Sequence, residues 1–255
     1  MLMLIFLICL CAHVWAKELD SPQGKNQRRD IPEGFLYGLA LNTSQELYIG
    51  ADNKYLVFPV LGYRKDKLFI FGPFVSYQAA QIGKTKLSLK ARPRFDGYDE
   101  SDSAIFKGMA DRKAGIDAGL ELQVEENKWK LSFAGFHDVL GRSNGSEFSF
   151  GLGRSMRYGP IFIAPEVKFD LQDRKLVGYY YGVKQSEATE FRPQYDPKSA
   201  LNSSIGITLS TPIFFQGLTR LSFKHARYDS SIVRSPLIDT ESSTSFIMSF
   251  SKFIK

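Results

Sequence analysis

Few residues in this chain have the types and spacing that do chemistry. Two histidines, His137 and His225, lie beyond the N-terminal apolar run, and His137 adjoins Asp138. In a Ser/His/Asp hydrolase a carboxylate orients an imidazole, which takes a proton from the nucleophile. Neighbours along a strand point to opposite faces, so Asp138 cannot orient that ring if the two share a strand. A rim or lumen histidine without a catalytic role accounts for both positions. No Cys/His set has metal-ligand spacing. The acidic run Asp96-Gly97-Tyr98-Asp99-Glu100-Ser101-Asp102 lacks the spacing of a calcium loop and reads as solvated loop. No glycine-rich loop follows a strand and opens a helix to cradle phosphate. The expectation is a chain with no catalytic residue, no cofactor and no metal: not an enzyme.

A second set of residues is basic. Lys86, Lys90, Arg92 and Arg94 share one face of residues 85–95, opposite Leu87, Leu89 and Ala91. Buried unpaired in the core of a soluble sandwich, such a face is costly. It can instead line a watery lumen. Arg220 and Lys224 join the same candidate lining, and a lumen so lined prefers anions.

The elements that must position these residues read as strands. Around Leu120, Leu122 and Val124, apolar residues alternate with Glu121, Gln123 and Glu125, the period of a strand with one apolar and one wet face. Similar runs occupy residues 35–41, 46–51, 54–63, 67–78, 85–95, 114–125, 128–137, 147–157, 161–183, 203–214, 218–228 and 244–253, twelve in all. The run at 161–183 is long and is read as bulged near Asp173. Connections at 52–53, 82–84, 126–127, 158–160 and 216–217 are short, whereas those at 96–113, 138–146, 184–202 and 229–243 are long and polar. Alternation of short with long connections is a habit of bacterial outer-membrane barrels. Tyr55 and Tyr63 bracket Val57, Pro59 and Leu61 on one face, as two aromatic girdles bracket an apolar band. The reading is all-β: a single antiparallel transmembrane β-barrel of about twelve strands over residues 33–255.

Composition agrees. The 255 residues are 44% hydrophobic and 14% aromatic, with no internal window apolar enough for a spanning helix; barrel strands leave a weaker hydropathy signal. The net charge of +6 suits an anionic surface such as lipopolysaccharide. Nucleic acid is not expected, since no basic segment interleaved with aromatics follows a known motif.

Residues 1–16 are an apolar run that stops at Lys17, and Val14-Trp15-Ala16 offers small residues for cleavage after Ala16, so the run reads as a secretory signal peptide. Both cysteines, Cys9 and Cys11, lie inside it. Residues 17–32 carry Lys25, Arg28 and Arg29 and read as a flexible periplasmic segment. Export to the outer membrane of a Gram-negative bacterium follows.

Three ordered stretches add a resemblance: Phe106-Lys107-Gly108-Met109-Ala110-Asp111-Arg112 leading into Asp117-Ala118-Gly119, then Tyr179-Tyr180-Tyr181-Gly182-Val183, then Ser235-Pro236-Leu237. His137-Asp138-Val139 and Glu187-Ala188 fall between them. In order and spacing the set resembles the MipA/OmpV family of outer-membrane proteins across most of the chain. That resemblance implies a single barrel acting as a scaffold between a lytic transglycosylase and a bifunctional penicillin-binding protein in murein (peptidoglycan) synthesis. Other members imply a narrow porin-like channel or an adhesin. The motif residues also have structural readings: Gly108 and Gly119 as tight backbone, Asp111 with Arg112 as a rim ion pair, Tyr179–Tyr181 as a girdle cluster. The ending Ser251-Lys252-Phe253 resembles the closing Tyr-x-Phe of outer-membrane strands, with Ser at the Tyr position.

Overall fold

The computed structural model describes residues 32–254. The expected signal peptide and all but the last residue of the segment at 17–32 lie outside the described residues. The strands are β1 (Gly34–Ser44), β2 (Lys54–Lys65), β3 (Leu68–Phe71), β4 (Phe74–Ile82), β5 (Thr85–Arg94), β6 (Gly115–Glu126), β7 (Trp129–Asp138), β8 (Ser146–Arg154), β9 (Met156–Tyr158), β10 (Ile161–Gln172), β11 (Ala200–Thr211), β12 (Leu218–Arg227) and β13 (Ser242–Phe253). Twelve close an antiparallel ring, β1 to β8 followed by β10 to β13, with β13 returning to β1; β9 pairs with β10 outside that ring. Among the described residues no helix is long and apolar enough to cross a membrane.

Strand alternation decides what faces where. On β2, Tyr55, Val57 and Leu61 are 72%, 65% and 73% exposed, while Val60 between them is fully buried. Leu39, Leu89, Leu120, Phe133, Phe148, Phe169, Ile205 and Phe223 continue the exposed apolar set around the ring. A belt of this kind, on both sides of a closed sheet seam, is what hydrocarbon requires of a barrel. The inward face has two characters. Over β1 to β3 and the end of β13 it has an apolar patch: Leu36, Ala40 and Val60 are buried, with Phe58, Phe71 and Phe253 packed against them. Phe253 also pairs with Leu36 across the β13–β1 seam, so the last strand closes the ring through its aromatic end. From β5 to β10 the inward face is charged.

The count of twelve survives two compensating changes. Residues 46–51 are not a strand: Leu47 and Tyr48 turn inward and are buried, and Gly50 takes φ +68°. Residues 67–78 are two strands, because Gly72 (φ +54°) and Pro73 make a turn between β3 and β4. A Gly-Pro pair is a turn signal in its own right. As a result residues 52–53 sit at the long-loop end of the barrel rather than the short-turn end. The other short connections expected at the turn end are there.

The run at 161–183 is likewise corrected. β10 stops at Gln172, and Asp173 caps helix α1 (Arg174–Tyr181), its carboxylate accepting from the Leu176 N–H at 2.8 Å. Asp173 is a cap, not a bulge, and Tyr179–Tyr181 are helical rather than part of a girdle. A second, one-turn helix α2 (Ser230–Val233) is capped by Asp229 in the same way.

The two expected tight glycines are tight for different reasons. Gly108 has φ +81°, a conformation open to glycine and strained for other residues. Gly119 lies where a Cβ would collide with the Gly135 carbonyl on β7. Gly119→Ala should therefore cost about 1–3 kcal/mol as an overpacked strand contact. Gly178, inside α1 with open space around it, is the control: Gly178→Ala should gain up to about 1 kcal/mol. Heat-dependent gel migration of the folded barrel checks both, and an unchanged melting point for Gly119→Ala would contradict the close approach.

Candidate functional site: a packed cap above a charged wall

The four long connections at residues 45–53, 95–114, 173–199 and 228–241 do not splay into solvent. They fold together into a cap with a core of its own. Phe106, Val177, Ile232 and Leu237 are fully buried there, with Tyr48, Tyr98, Met109, Leu176, Tyr180 and Tyr181 around them. Tyr98 stacks on Phe106 with centroids 3.8 Å apart and planes 4° from parallel. Tyr48 meets both rings edge-on, at 5.2 and 5.3 Å. Buried hydroxyls need partners, and they have them. Tyr48 donates to the Tyr180 carbonyl at 3.2 Å, and Ser235 donates to the Tyr181 carbonyl at 2.7 Å. Pro236 follows Ser235 and is half-buried.

One ion pair ties the cap together. Both Arg112 and Glu187 are buried, and the Arg112 Nη2 donates to the two Glu187 oxygens at 2.9 and 2.8 Å. Arg112 Nε donates to the Tyr179 carbonyl at 2.8 Å. Arg192, itself buried, donates to the Glu187, Ile105 and Lys107 carbonyls. The loops at 95–114 and 173–199 are thereby joined by two guanidinium groups. Burial alone would raise the Glu187 carboxyl; the Arg112 fork and the N–H groups of Lys184 and Ala110 outweigh it and hold the carboxyl below its ordinary value. Burial pushes the Tyr98 hydroxyl up to about 12 and raises those of Tyr48 and Tyr181 well above their ordinary value.

The expected rim ion pair between Asp111 and Arg112 is therefore not formed. Asp111 accepts from the Glu100 N–H at 3.1 Å, on the exposed side of the loop. The motif residues Gly108, Met109, Arg112, Tyr180, Tyr181, Gly182, Ser235 and Pro236 converge on the cap, whereas Gly119 is in the wall. Gly182 ends α1, where a Cβ would collide with the Gly178 carbonyl.

Beneath the cap lies the charged wall. Lys86, Lys90, Arg92 and Arg94 share the face of buried Ser88, and Arg220 and Lys224 share that of buried Ala226. All six thus point inward. Three are paired. Lys90 meets Glu121 at 2.5 Å; Arg94 meets Asp117 at 2.6 Å and Glu147 at 3.0 Å; Arg92 meets Glu147 at 2.6 Å and lies over the Phe136 ring. Arg92 and Arg94 reach Glu147 on β8 past the intervening β6 and β7, along one side of the lumen. The basis for an anion-preferring lumen is weakened at these three positions. Asp117 and Glu147 escaped sequence reasoning, although Asp117 and Glu121 alternate on β6 in phase with the basic set of β5. Arg192 carried no signal that spacing could reveal.

His137 and Asp138 point to opposite faces. His137 Nδ1 lies 3.0 Å from the Ser146 hydroxyl on the outward face, and Asp138 accepts from the N–H groups of Leu140, Ser143 and Asn144 to fold the loop at 139–145. His225 repeats the outward pattern with the Thr244 hydroxyl at 3.0 Å. Among the described residues no group of three or more His, Cys, Asp and Glu side chains is placed to hold a metal ion.

Arg112→Ala strands Glu187 as a buried charge, which costs about 3–5 kcal/mol. Limited proteolysis should then cut within 95–114 and 173–199 while gel migration still shows a closed barrel. The pH dependence has a definite sign. A carboxyl lowered in the folded state contributes fully above its unfolded value of about 4.3, and the contribution is lost as pH falls through the folded value. Protease resistance of the cap should decline in that acid window, and Glu187→Gln should flatten the dependence. Equal resistance of Arg112→Ala and the parent would remove the pair from its assigned role.

The family profile described as "MltA-interacting protein MipA" matches residues 37–252. Outer membrane protein Omp26La of Vibrio anguillarum is 27% identical over 143 residues, 56% of each chain. The match thus spans about half the length of that relative, as it does for OmpV of Vibrio cholerae. The putative outer membrane protein YiaT of Escherichia coli K12 is 26% identical over 227 residues, covering 82% of this chain and 91% of its own. Among solved structures, the toluene transporter TbuX of Ralstonia pickettii matches with a TM-score of 0.43 at 9% identity, over 88% of this chain and 90% of that one. The closed ring, its apolar belt and relatives named for the outer membrane locate the protein in that membrane, and its sequence over residues 37–252 makes it a member of the MltA-interacting protein MipA family.

Proposed function

We propose that the barrel is a non-catalytic anchor in the outer membrane, on which a lytic transglycosylase, and through it a bifunctional penicillin-binding protein, assembles for murein synthesis. The supporting observation is the cap. A mouth covered by loops with a packed aromatic core, above a lumen with ion pairs along one side, suits an anchor better than an open channel. The family's description, an MltA-interacting protein, names the class of partner. In outer-membrane barrels the long loops face outward and the short turns face the periplasm. The partner's contact would then be the turn end, around residues 83–84, 127–128 and 155–160, together with the polar segment at 17–32. The narrow porin-like reading keeps a foothold in Lys86, Arg220 and Lys224, which face inward without a salt bridge among the described residues.

The test is capture of a purified soluble lytic transglycosylase on the immobilised full-length chain in detergent. Retention should be unchanged by Arg112→Ala, which acts at the far end, and should fall about tenfold in apparent Kd, some 1.4 kcal/mol, when residues 17–32 are removed. Planar-bilayer recording of the parent chain should show no sustained conductance. Retention no better than on an unrelated barrel ends the anchor reading, and steady anion-selective steps would favour the channel.

A further inference from the structure

The wall of the barrel has a gap on its apolar side. β2 runs from Lys54 to Lys65, but β3 pairs only with its last four residues, Gly62 to Lys65. The β3–β4 turn closes at the level of Leu61, where the Gly72 N–H donates to the Leu61 carbonyl at 2.9 Å. Past that turn, among the described residues, no strand lies against β2 on this flank, and the next strand of the wall is β5. At the top Lys54 Nζ donates to the Gly97 carbonyl at 3.3 Å and bridges the opening. Two absent strands at about 4.8 Å spacing leave about 14 Å between β2 and β5 at the foot of the gap. Seven residues of β2 at about 3.3 Å each make it about 23 Å long, or about 16 Å along the membrane normal at a tilt of about 45°. That is about half of a 30 Å hydrocarbon core: one leaflet.

The register also gives the chemistry of the edge. Leu61 directs its carbonyl to this flank, and a strand alternates, so Tyr55, Val57 and Pro59 direct their backbone groups there too. Pro59 has no N–H, which leaves the Tyr55 and Val57 amides as the donors, both in the upper part of the gap. A bare strand edge is not tolerated against hydrocarbon, so these amides require an acceptor. A protein strand laid along the edge would meet the missing donor at Pro59 midway, where an edge proline discourages pairing. On the β2, β3 and β4 side the lining is apolar, whereas on the β5 side Arg92 and Arg94 face inward and are paired with Asp117 and Glu147. Leu56 (39% exposed), Phe58, Phe71 and Phe74 (41% exposed) share the inward face beside the gap. On the outward side the rim is continuous with the lipid-facing belt through Val57, Leu61, Val75 and Leu89.

We propose that the gap is a lateral binding site for an acyl chain of a membrane lipid in the loop-side leaflet. Its ester oxygens accept from the Tyr55 and Val57 amides near the girdle, and its chain lies inward against Leu56, Phe58, Phe71 and Phe74. The orientation matches that of a lipid in this leaflet, head toward the cap and tail toward the bilayer centre. The site is independent of the murein reading and would stand or fall without it.

The experiment uses single-tryptophan reporters in the full-length chain, with Trp15 and Trp129 replaced by Phe. Leu56→Trp and Phe58→Trp place an inward-facing indole beside the gap. Val57→Trp is the lipid-facing reference, and Ser222→Trp, inward on β12, is the lumen reference. Each variant is checked for the folded barrel by heat-dependent gel migration and reconstituted in phosphatidylcholine vesicles with or without a mid-chain dibrominated acyl group. The two gap tryptophans should lose fluorescence to bromolipid to the same extent as Val57→Trp, while Ser222→Trp is spared. Quenching of both gap tryptophans no greater than that of Ser222→Trp overturns the proposal. Iodide quenching from the aqueous phase without bromolipid quenching means a water-filled gap and overturns it equally. A partner strand, a second copy of the chain or its own N-terminal segment seated on the edge would shield both reporters from bromolipid and has the same consequence.

Discussion

Every backbone amide that enters hydrocarbon must find a hydrogen-bond partner, and lipid tails offer none. That constraint closes the sheet into a ring, and the ring forces the pleat to separate lipid-facing from lumen-facing residues. Much of the structure follows from it. The outward belt is apolar because it must be. The inward face is free to carry charge, and where it is most buried the charge comes with partners of opposite sign. Hence Arg92 and Arg94 come with Asp117 and Glu147, and Lys90 comes with Glu121. The pairs to Glu147 join β5 to β8, which are not neighbours, so they brace the wall as well as neutralising it.

The cap obeys a different rule. Its loops lie in water and need no closed ladder. What holds them is a small aromatic core and a buried guanidinium–carboxylate pair whose members come from loops 75 residues apart in sequence. Such a core is specific to its residues in a way the wall is not. A wall position asks only for apolar or polar on the correct beat; a cap position such as Tyr180 or Arg112 asks for one shape and one set of hydrogen bonds. This explains why the residues that carried the family resemblance gather mainly in the cap. They look like a partner-binding signature when read in one dimension, and they are the interior of a small folded unit.

The wall was legible for the same reason. Period-two patterning, the sorting of connections by length and the tyrosines bracketing β2 all express the closed-sheet constraint directly, and the twelve-strand ring stands. Where reading failed, a local signal had been passed over in favour of the period. Gly72-Pro73 divides β3 from β4; Asp173 starts a helix that apolar content had disguised as strand. The pairing of Arg112 with Glu187 instead of Asp111 could not be read at all, since it depends on how two long loops return over the mouth. Loop closure is non-local, and spacing along the chain carries no information about it.

The two characters of the lumen belong to one design. The paired charge lies on the side of the ring where the ladder is complete, from β5 to β10, with Arg220 and Lys224 added on β12, and the apolar lining lies on the side where β3 is cut short. Were the positions reversed, a gap at membrane depth would open charged groups toward lipid, at a cost no ion pair offsets. Placed as they are, the gap is bordered by Leu56, Phe58, Phe71 and Phe74 and by a strand edge from which a proline has already removed one donor, while Arg92 and Arg94 on its β5 side are turned to Asp117 and Glu147. Shortening β3 is therefore tolerable only because its neighbours are apolar. The apolar half of the lumen thus has a reason to exist beyond filling space.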